Sequence, residues 1–172
     1  MSAKTRFKQA WSLLLATLLA VISLSVRAEG VAAPDFALRR PDGETVRLSE
    51  LRGRTVVVMF WATWCPLCKR LLPGIQKLID SHAGAPLKVL AVDVWDDGDP
   101  AAYMKSAGYT PEVLLKGDAV AKAWGVQGTP TVFVVNPAGR VIYVTSNSDP
   151  ENKELGEMVD KSLGQAADAP AH

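Results

Sequence analysis

The chain has 172 residues, with 19 basic and 18 acidic side chains and a formal net charge of +1. This near balance, without a basic stripe interleaved with aromatic residues, argues against a nucleic-acid partner. The length is enough for one domain with a substantial core and for further segments at the ends. Only two cysteines and two histidines are present.

The first 28 residues have the pattern of a secretory signal peptide. Lys4, Arg6 and Lys8 precede an apolar run at 11–24, and residues 26–28 fit a signal peptidase site. The run is shorter than the roughly 20 residues of a membrane-spanning helix, which favours cleavage over a retained anchor. Removal of residues 1–28 takes away four bases and no acid, so the net charge falls from +1 to −3. We therefore expect a periplasmic protein, with attachment to the inner membrane as the alternative if the segment is retained.

The rest of the chain is predicted to be one domain over residues 29–164, followed by a disordered tail over 165–172. Apolar patterns and turn residues predict these elements in chain order: a hairpin at 35–48, a helical turn at 49–53, a strand at 55–60, a helix at 66–81 kinked at Pro73, a strand at 87–94, a helix at 99–105, a short strand at 112–116, a helix at 118–124, a hairpin of strands 131–135 and 140–145, and an amphipathic helix at 149–163. This order predicts an α/β fold with a mixed sheet flanked by helices.

Both cysteines lie in one motif, Trp64-Cys65-Pro66-Leu67-Cys68, between the apolar strand and the helix that follows it. Residues three apart are neighbours on a helix, so the two sulfurs are expected on one face, at a separation that suits a disulfide. The first sulfur would also lie at the helix N-terminus, where free N–H groups and the helix dipole stabilise a thiolate. A purely structural disulfide is less consistent with the spacing, because so short a loop constrains the unfolded chain little. The motif therefore predicts a redox site.

This part of the sequence resembles the thioredoxin fold and, more closely, exported thiol-disulfide oxidoreductases of the TlpA/ResA type. The resemblance rests on FWATWCPLC at 60–68, on GTPT at 128–131, and on the segments at 33–38, 42–43, 48–53 and 136–140. It covers roughly residues 33–163. It implies a thioredoxin fold with an N-terminal hairpin extension, and an enzyme that exchanges disulfides with protein thiols.

The resemblance also assigns roles to single residues. Cys65 is the implied nucleophile, exposed at the helix start, and Cys68 is the shielded resolving thiol that attacks Cys65 to release reduced substrate. Pro130 is the implied cis-proline facing them, although an ordinary trans proline would fit the sequence alone. The residues to which we assign substrate contact are Trp64, Pro66, Leu67, Thr129 and Pro130.

The proton acceptors of the family are missing from this chain. Thioredoxin has a buried acid six residues before the first cysteine, where this chain has Met59. The ResA-like branch has a glutamate three residues after the second cysteine, where this chain has Leu71. The sequence therefore leaves the acceptor of the Cys68 proton unassigned.

An acidic segment follows the strand at 87–94, with carboxylates at Asp93, Asp96, Asp97 and Asp99. That strand should run parallel to the one before the cysteines, so both should end at the same edge of the sheet. The acids could then oppose a thiolate at Cys65. A solvated loop that points away from the site, or a site for a hard cation, would also fit the sequence.

Two other functions share features with this sequence. A peroxiredoxin-like peroxidase has a similar N-terminal segment, but this chain has Ala62 where peroxiredoxins place their activating threonine. A copper chaperone would use the cysteines as soft ligands, but such proteins usually space them by three residues and add a histidine. His82, expected near the end of the active-site helix, and His172, in the tail, do not match that pattern.

The partners follow from the resemblance. It favours a reductant of protein disulfides, for example in cytochrome c maturation, supplied by a membrane or periplasmic electron donor. We expect a monomer with no metal and no cofactor beyond the redox-active Cys65–Cys68 pair. The Pro-Leu dipeptide between the cysteines does not fix the reduction potential.

Overall fold

The computed structural model describes residues 30–167. The predicted signal peptide and the last five residues of the predicted tail lie outside this range. Within it, no helix combines the length and the apolar character needed to cross a membrane.

A six-stranded mixed sheet forms the centre of the fold, with the strand order β1-β8-β7-β4-β5-β6. β4, β5 and β6 are parallel, whereas β7, β8 and β1 pair in antiparallel fashion; β2 and β3 form a separate hairpin. The strands are β1 Val31–Ala32, β2 Ala37–Arg39, β3 Thr45–Arg47, β4 Thr55–Trp61, β5 Leu87–Asp93, β6 Glu112–Leu114, β7 Thr131–Val135 and β8 Arg140–Thr145. The predicted mixed sheet and N-terminal hairpin are confirmed.

Within residues 30–167, four helices and a 3₁₀ turn cover the sheet. They are the turn Leu48–Leu51 and the helices α1 Pro66–Ser81, α2 Pro100–Ala107, α3 Asp118–Ala123 and α4 Lys153–Ala167. α1, the helix after the cysteines, is one continuous helix that passes through Pro73.

The central strand β4 is buried along its whole length because both faces of the sheet are covered. Val57, Met59 and Trp61 point to one face, where they pack with α1 and α4. Val56, Val58 and Phe60 point to the other, towards the hairpin, the 3₁₀ turn and α3. The continuous apolar run before the cysteines therefore reflects a strand with a core on each side.

The structure differs from the sequence prediction at both ends of the domain. β1 was not predicted; it consists of two residues and forms by pairing with β8. α4 begins at Lys153 rather than at residue 149, because the Asn152 side chain accepts the N–H of Leu155 at 3.3 Å and ends the preceding turn. The same helix continues to Ala167, into the segment predicted to be a disordered tail.

Candidate active site

The two cysteines begin helix α1 and are joined by a disulfide. Cys65 is the N-cap residue of α1, and its Sγ accepts the N–H of Cys68 at 3.1 Å. Pro66 follows as the first helical residue, where its missing N–H is no loss. The Cα atoms of the pair are 5.3 Å apart. The predicted geometry of the pair is confirmed.

The burial of Cys65 corrects the sequence prediction. Cys65 was expected to be exposed at the helix start, yet it is only 2% exposed, and Cys68 is fully buried. The carbonyl oxygen of Thr129 lies 3.5 Å from the Cys65 Sγ, and both cysteines belong to the apolar cluster under α1. Burial therefore disfavours a charged thiolate at either sulfur, whereas the Cys68 N–H that the Cys65 Sγ accepts favours one at Cys65.

The loop that faces the cysteines contains a cis peptide bond between Thr129 and Pro130, as predicted. Pro130 is buried, and Thr129 is half-buried. The hydroxyl of Thr131 donates to the carbonyl of Gly128 at 2.7 Å and closes the turn. Loop and disulfide thus meet at the Thr129 carbonyl.

An open cleft of about 500 Å³ adjoins this loop. Its lining includes Leu67, Thr129 and Pro130, together with Phe133 and Val144 from strands β7 and β8. Of the residues to which the sequence assigned substrate contact, Trp64 and Pro66 are exposed but do not line the cleft. The structure thus separates the five residues into a cleft-lining group and a rim, and their contact with substrate stays a prediction.

The acidic segment lies against the cysteine loop. β4 and β5 are parallel, with Trp61 opposite Asp93, so the chain after each strand emerges at the same edge. Asp96 accepts the backbone N–H of Thr63 at 2.5 Å and its hydroxyl at 2.7 Å, two residues before Cys65. The predicted proximity is confirmed for Asp96, and the segment does not point away from the site.

The other acids of the segment have different surroundings. Asp99 caps α2 by accepting the N–H of Ala102 at 2.9 Å. Asp97 is exposed. Across residues 30–167, no three His, Cys, Asp or Glu side chains are placed together so as to hold a metal ion.

A second contact fixes the acidic segment to the site. The indole N–H of Trp64 donates to the carbonyl of Trp95 at 2.8 Å, and the Trp95 N–H donates to Asp118 at 2.9 Å. Trp95 has φ +52°, in the left-handed region. Both indoles remain accessible, with Trp64 58% and Trp95 43% exposed. The sequence analysis did not single out Thr63 or Trp95; the clue available was that β4 and β5 end together.

The two carboxyl groups nearest the site have opposite electrostatic character. Burial, followed by the neighbouring carboxyls of Asp96 and Asp118, raises the pKa of Asp93 from an ordinary 3.8 to about 7, against the opposing N–H of Lys116. Burial also acts to raise the pKa of Asp96, but hydrogen bonds from Thr63, Gly98 and Asp93 outweigh it and hold that pKa below its ordinary value. At neutral pH Asp96 is therefore ionised, whereas Asp93 is partly protonated and donates to it.

Comparison with known proteins finds a matching family and related thiol-disulfide oxidoreductases. Residues 30–144 match the AhpC/TSA family. The chain is 33% identical over 127 residues to the thiol-disulfide oxidoreductase ResA of Bacillus subtilis, an alignment that covers 73% of this chain and 71% of that protein. ResA of Geobacillus thermodenitrificans is 35% identical over 119 residues, covering 66% of this chain and 67% of that protein.

A solved structure agrees with these sequence relatives. A DsbE-type thiol:disulfide interchange protein from Chlorobium tepidum superposes with a TM-score of 0.65 at 29% identity, and the alignment covers 79% of this chain and 98% of that one. The chain therefore belongs to the AhpC/TSA family, as one of its thioredoxin-fold thiol-disulfide oxidoreductases.

Proposed function

We propose that the protein is exported, loses residues 1–28, and reduces protein disulfides in the periplasm through its domain at 29–164. The Cys65–Cys68 pair would receive electrons from a membrane or periplasmic donor and pass them to partner proteins, with cytochrome c maturation as the process. One observation carries this proposal: the pair begins a helix, faces a cis-proline and adjoins an open, largely apolar cleft. Such a surface suits an extended segment of another protein.

The bonds that form and break in the exchange join the sulfurs of Cys65 and Cys68 and those of the substrate. The Cys65 thiolate attacks one sulfur of the substrate disulfide, a mixed disulfide forms, and one substrate sulfur leaves as a thiolate. Cys68 then attacks Cys65, which releases the second substrate sulfur and leaves the Cys65–Cys68 disulfide. We assign contact with the substrate backbone to Thr129, beside Pro130, and contact with its side chains to the exposed rim of Trp64 and Pro66 and to Leu67 in the cleft.

The direction of electron flow follows from the surroundings of the sulfurs. The ionised Asp96, bonded to Thr63, opposes negative charge on Cys65. The burial of both sulfurs acts in the same sense. A less stabilised thiolate makes the couple less oxidising, so both effects favour a reductant over an oxidant.

The proposal is tested in the cells that make the protein. The full chain is isolated after rapid acid quenching, its free thiols are alkylated, and its N-terminus is sequenced. We expect a periplasmic protein that begins after residue 28 and whose two cysteines are mainly reduced. A protein found with residues 1–28 intact in the membrane fraction would show that the segment is retained as an anchor and not cleaved, and a fully oxidised pair at steady state would contradict the reducing role.

A further inference from the structure

The resolving step requires a proton to leave Cys68, and the positions that serve this purpose in the family are apolar here. Met59 and Leu71 are buried, at 0% and 1% exposure, in the same cluster as the cysteines. Neither the strand before the motif nor the helix after it therefore supplies an acid at the position used in the family. The structure places one on the neighbouring strand instead.

Asp93 ends β5 and is 7% exposed. Side chains alternate along a strand, and Val89 and Ala91 belong to the cluster that contains both cysteines. Asp93, two residues further on, therefore faces the same side of the sheet, at the edge where α1 begins. Its register partner on β4 is Trp61.

The Asp93 carboxyl also lacks one of its hydrogen bonds. Its Oδ1 is buried without a hydrogen-bond partner, and so is the indole N–H of Trp61 beside it. Buried polar atoms are nearly always paired in folded proteins, and a carboxyl kept in this state costs stability. An unpaired carboxyl oxygen on the cysteine side of the sheet is suited to receive a proton.

Burial, and after it the charges around Asp93, keep its carboxyl close to half-ionised at neutral pH. Asp96 from the following loop and Asp118 from α3 oppose its ionisation, whereas the N–H of Lys116 favours it. From α2, the Tyr103 ring packs at a tilt against Trp61, with 5.7 Å between ring centroids, and the Lys69 ammonium of α1 lies 5.1 Å above the Tyr103 ring. A group that is half-ionised at the working pH is the most effective proton acceptor.

We propose that Asp93 is the proton acceptor of the resolving step, with Asp96 and Thr63 coupling it to the cysteine loop. In the mixed disulfide, Cys68 loses its proton to the Asp93 carboxylate while its sulfur bonds to Cys65. The bond between Cys65 and the substrate sulfur breaks, and that sulfur leaves as a thiolate with the electron pair. Cys65 and Cys68 together are oxidised by two electrons, and the substrate disulfide is reduced by two. This inference rests on the exchange reaction proposed above.

The test follows the two halves of one turnover separately. Reduced protein is mixed with an excess of 5,5′-dithiobis(2-nitrobenzoate), and thionitrobenzoate release is recorded by stopped flow. The first equivalent reports attack by Cys65, and the second reports resolution by Cys68. The pH dependence of the second phase is compared for the wild type, Asp93→Asn, Asp93→Glu and Asp96→Asn, with Asp97→Asn as a control of equal charge change on an exposed residue.

We expect the second phase of the wild type to rise with pH to a plateau, half-maximal near pH 7, where Asp93 ionises. Asp93→Asn should slow it on the order of 100-fold at neutral pH and replace the plateau by a continuous rise with hydroxide. Asp93→Glu should restore a plateau in part. Asp96→Asn should move the inflection to lower pH, because the carboxylate it removes raises the pKa of Asp93.

The outcomes separate this inference from the exchange reaction. If the wild type gives no first phase, the exchange reaction fails. If both phases occur but the second is the same in Asp93→Asn and Asp97→Asn, Asp93 does not accept the proton. If Asp93→Asn does not fold, the Asp96→Asn inflection decides: an unmoved inflection contradicts the proposal, and a downward shift supports it.

Discussion

Replacing Asp93 by asparagine should stabilise the folded protein at neutral pH and leave it nearly unchanged at about pH 4. The pKa of Asp93 is raised in the folded state, so the folded protein binds this proton more tightly than the unfolded chain does. Below the ordinary pKa of 3.8 both states are protonated, so the cost of burying a charged carboxylate is absent. As the pH rises towards about 7 the cost grows, and above that value it is complete.

The size of the effect follows from the same two values. A rise from 3.8 to about 7 corresponds to about 4 kcal/mol, at about 1.4 kcal/mol for each pKa unit. Part of this belongs to the coupling with Asp96, whose pKa is lowered by the shared hydrogen bond. We therefore expect Asp93→Asn to gain about 2 kcal/mol at pH 8. Asparagine can still donate to Asp96, so the hydrogen bond is retained.

Urea unfolding followed by tryptophan fluorescence at several pH values measures this gain. Asp97→Asn is the matched control, because it removes the same charge from an exposed position in the same loop and should give no pH-dependent gain. A gain for Asp93→Asn that is equal at all pH values, or a loss at pH 8, would refute the electrostatic reasoning. A stabilised variant with a slow resolving step would show that the buried acid is retained for function at a cost in stability.

Three further predictions concern the sulfurs and the far end of α1. Cys68→Ala should accumulate mixed disulfides with substrate proteins on non-reducing gels, and Cys65→Ala should form none; adducts through Cys68 would reverse the assigned order of attack. Asp96→Asn should lower the pKa of the Cys65 thiol by about half a unit, taking roughly 10 Å and an effective dielectric near 40, and less so at high salt. A thiol titration by ultraviolet absorbance that gives no salt-sensitive fall would show that Asp96 does not act on the thiolate. The His82 imidazole is 2.8 Å from the Asp160 carboxylate. Burial acts to lower the pKa of His82, but hydrogen bonds to Asp160 and to the Leu78 carbonyl outweigh it and raise that pKa. The stabilisation that the protonated His82 gives to the folded protein is complete below pH 6.5, the ordinary pKa of histidine. It is lost as the pH rises through the raised pKa of His82. His82→Asn should therefore cost about 0.5 kcal/mol at pH 5.5 and less at pH 8.5, and an equal cost at both would show that the pair is not charged.

The parts of the fold that depend on local pattern could be predicted from the sequence. The apolar run into β4, the cysteine spacing and Pro66 at the first turn predicted the start of α1 correctly, because helix caps and strand burial are encoded within a few residues. The parallel pairing of β4 with β5 was predicted from the alternation of strands and helices. That pairing also allowed the acidic segment to lie near the cysteines, although a solvated loop that points away fitted the sequence equally well.

Features that depend on distant contacts could not be predicted in the same way. β1 has only two residues and exists because β8 offers a free edge. Cys65 is buried because the loop at Thr129, far along the chain, covers it. The raised pKa of Asp93 depends on its burial in the sheet and on the neighbouring carboxyls of Asp96 and Asp118. The sequence shows only an aspartate in an acidic run, a pattern that is typical of a solvated loop.

The most direct test of the proposed reducing role is the reduction potential of the Cys65–Cys68 pair. The purified protein is equilibrated with glutathione buffers of defined ratio, and the oxidised fraction is read from thiol alkylation. The buried sulfurs and the neighbouring Asp96 carboxylate predict a reducing couple, close to thioredoxin at about −270 mV. A value near that of DsbA, about −120 mV, would show that the thiolate is strongly stabilised and that the protein is an oxidant rather than a reductant.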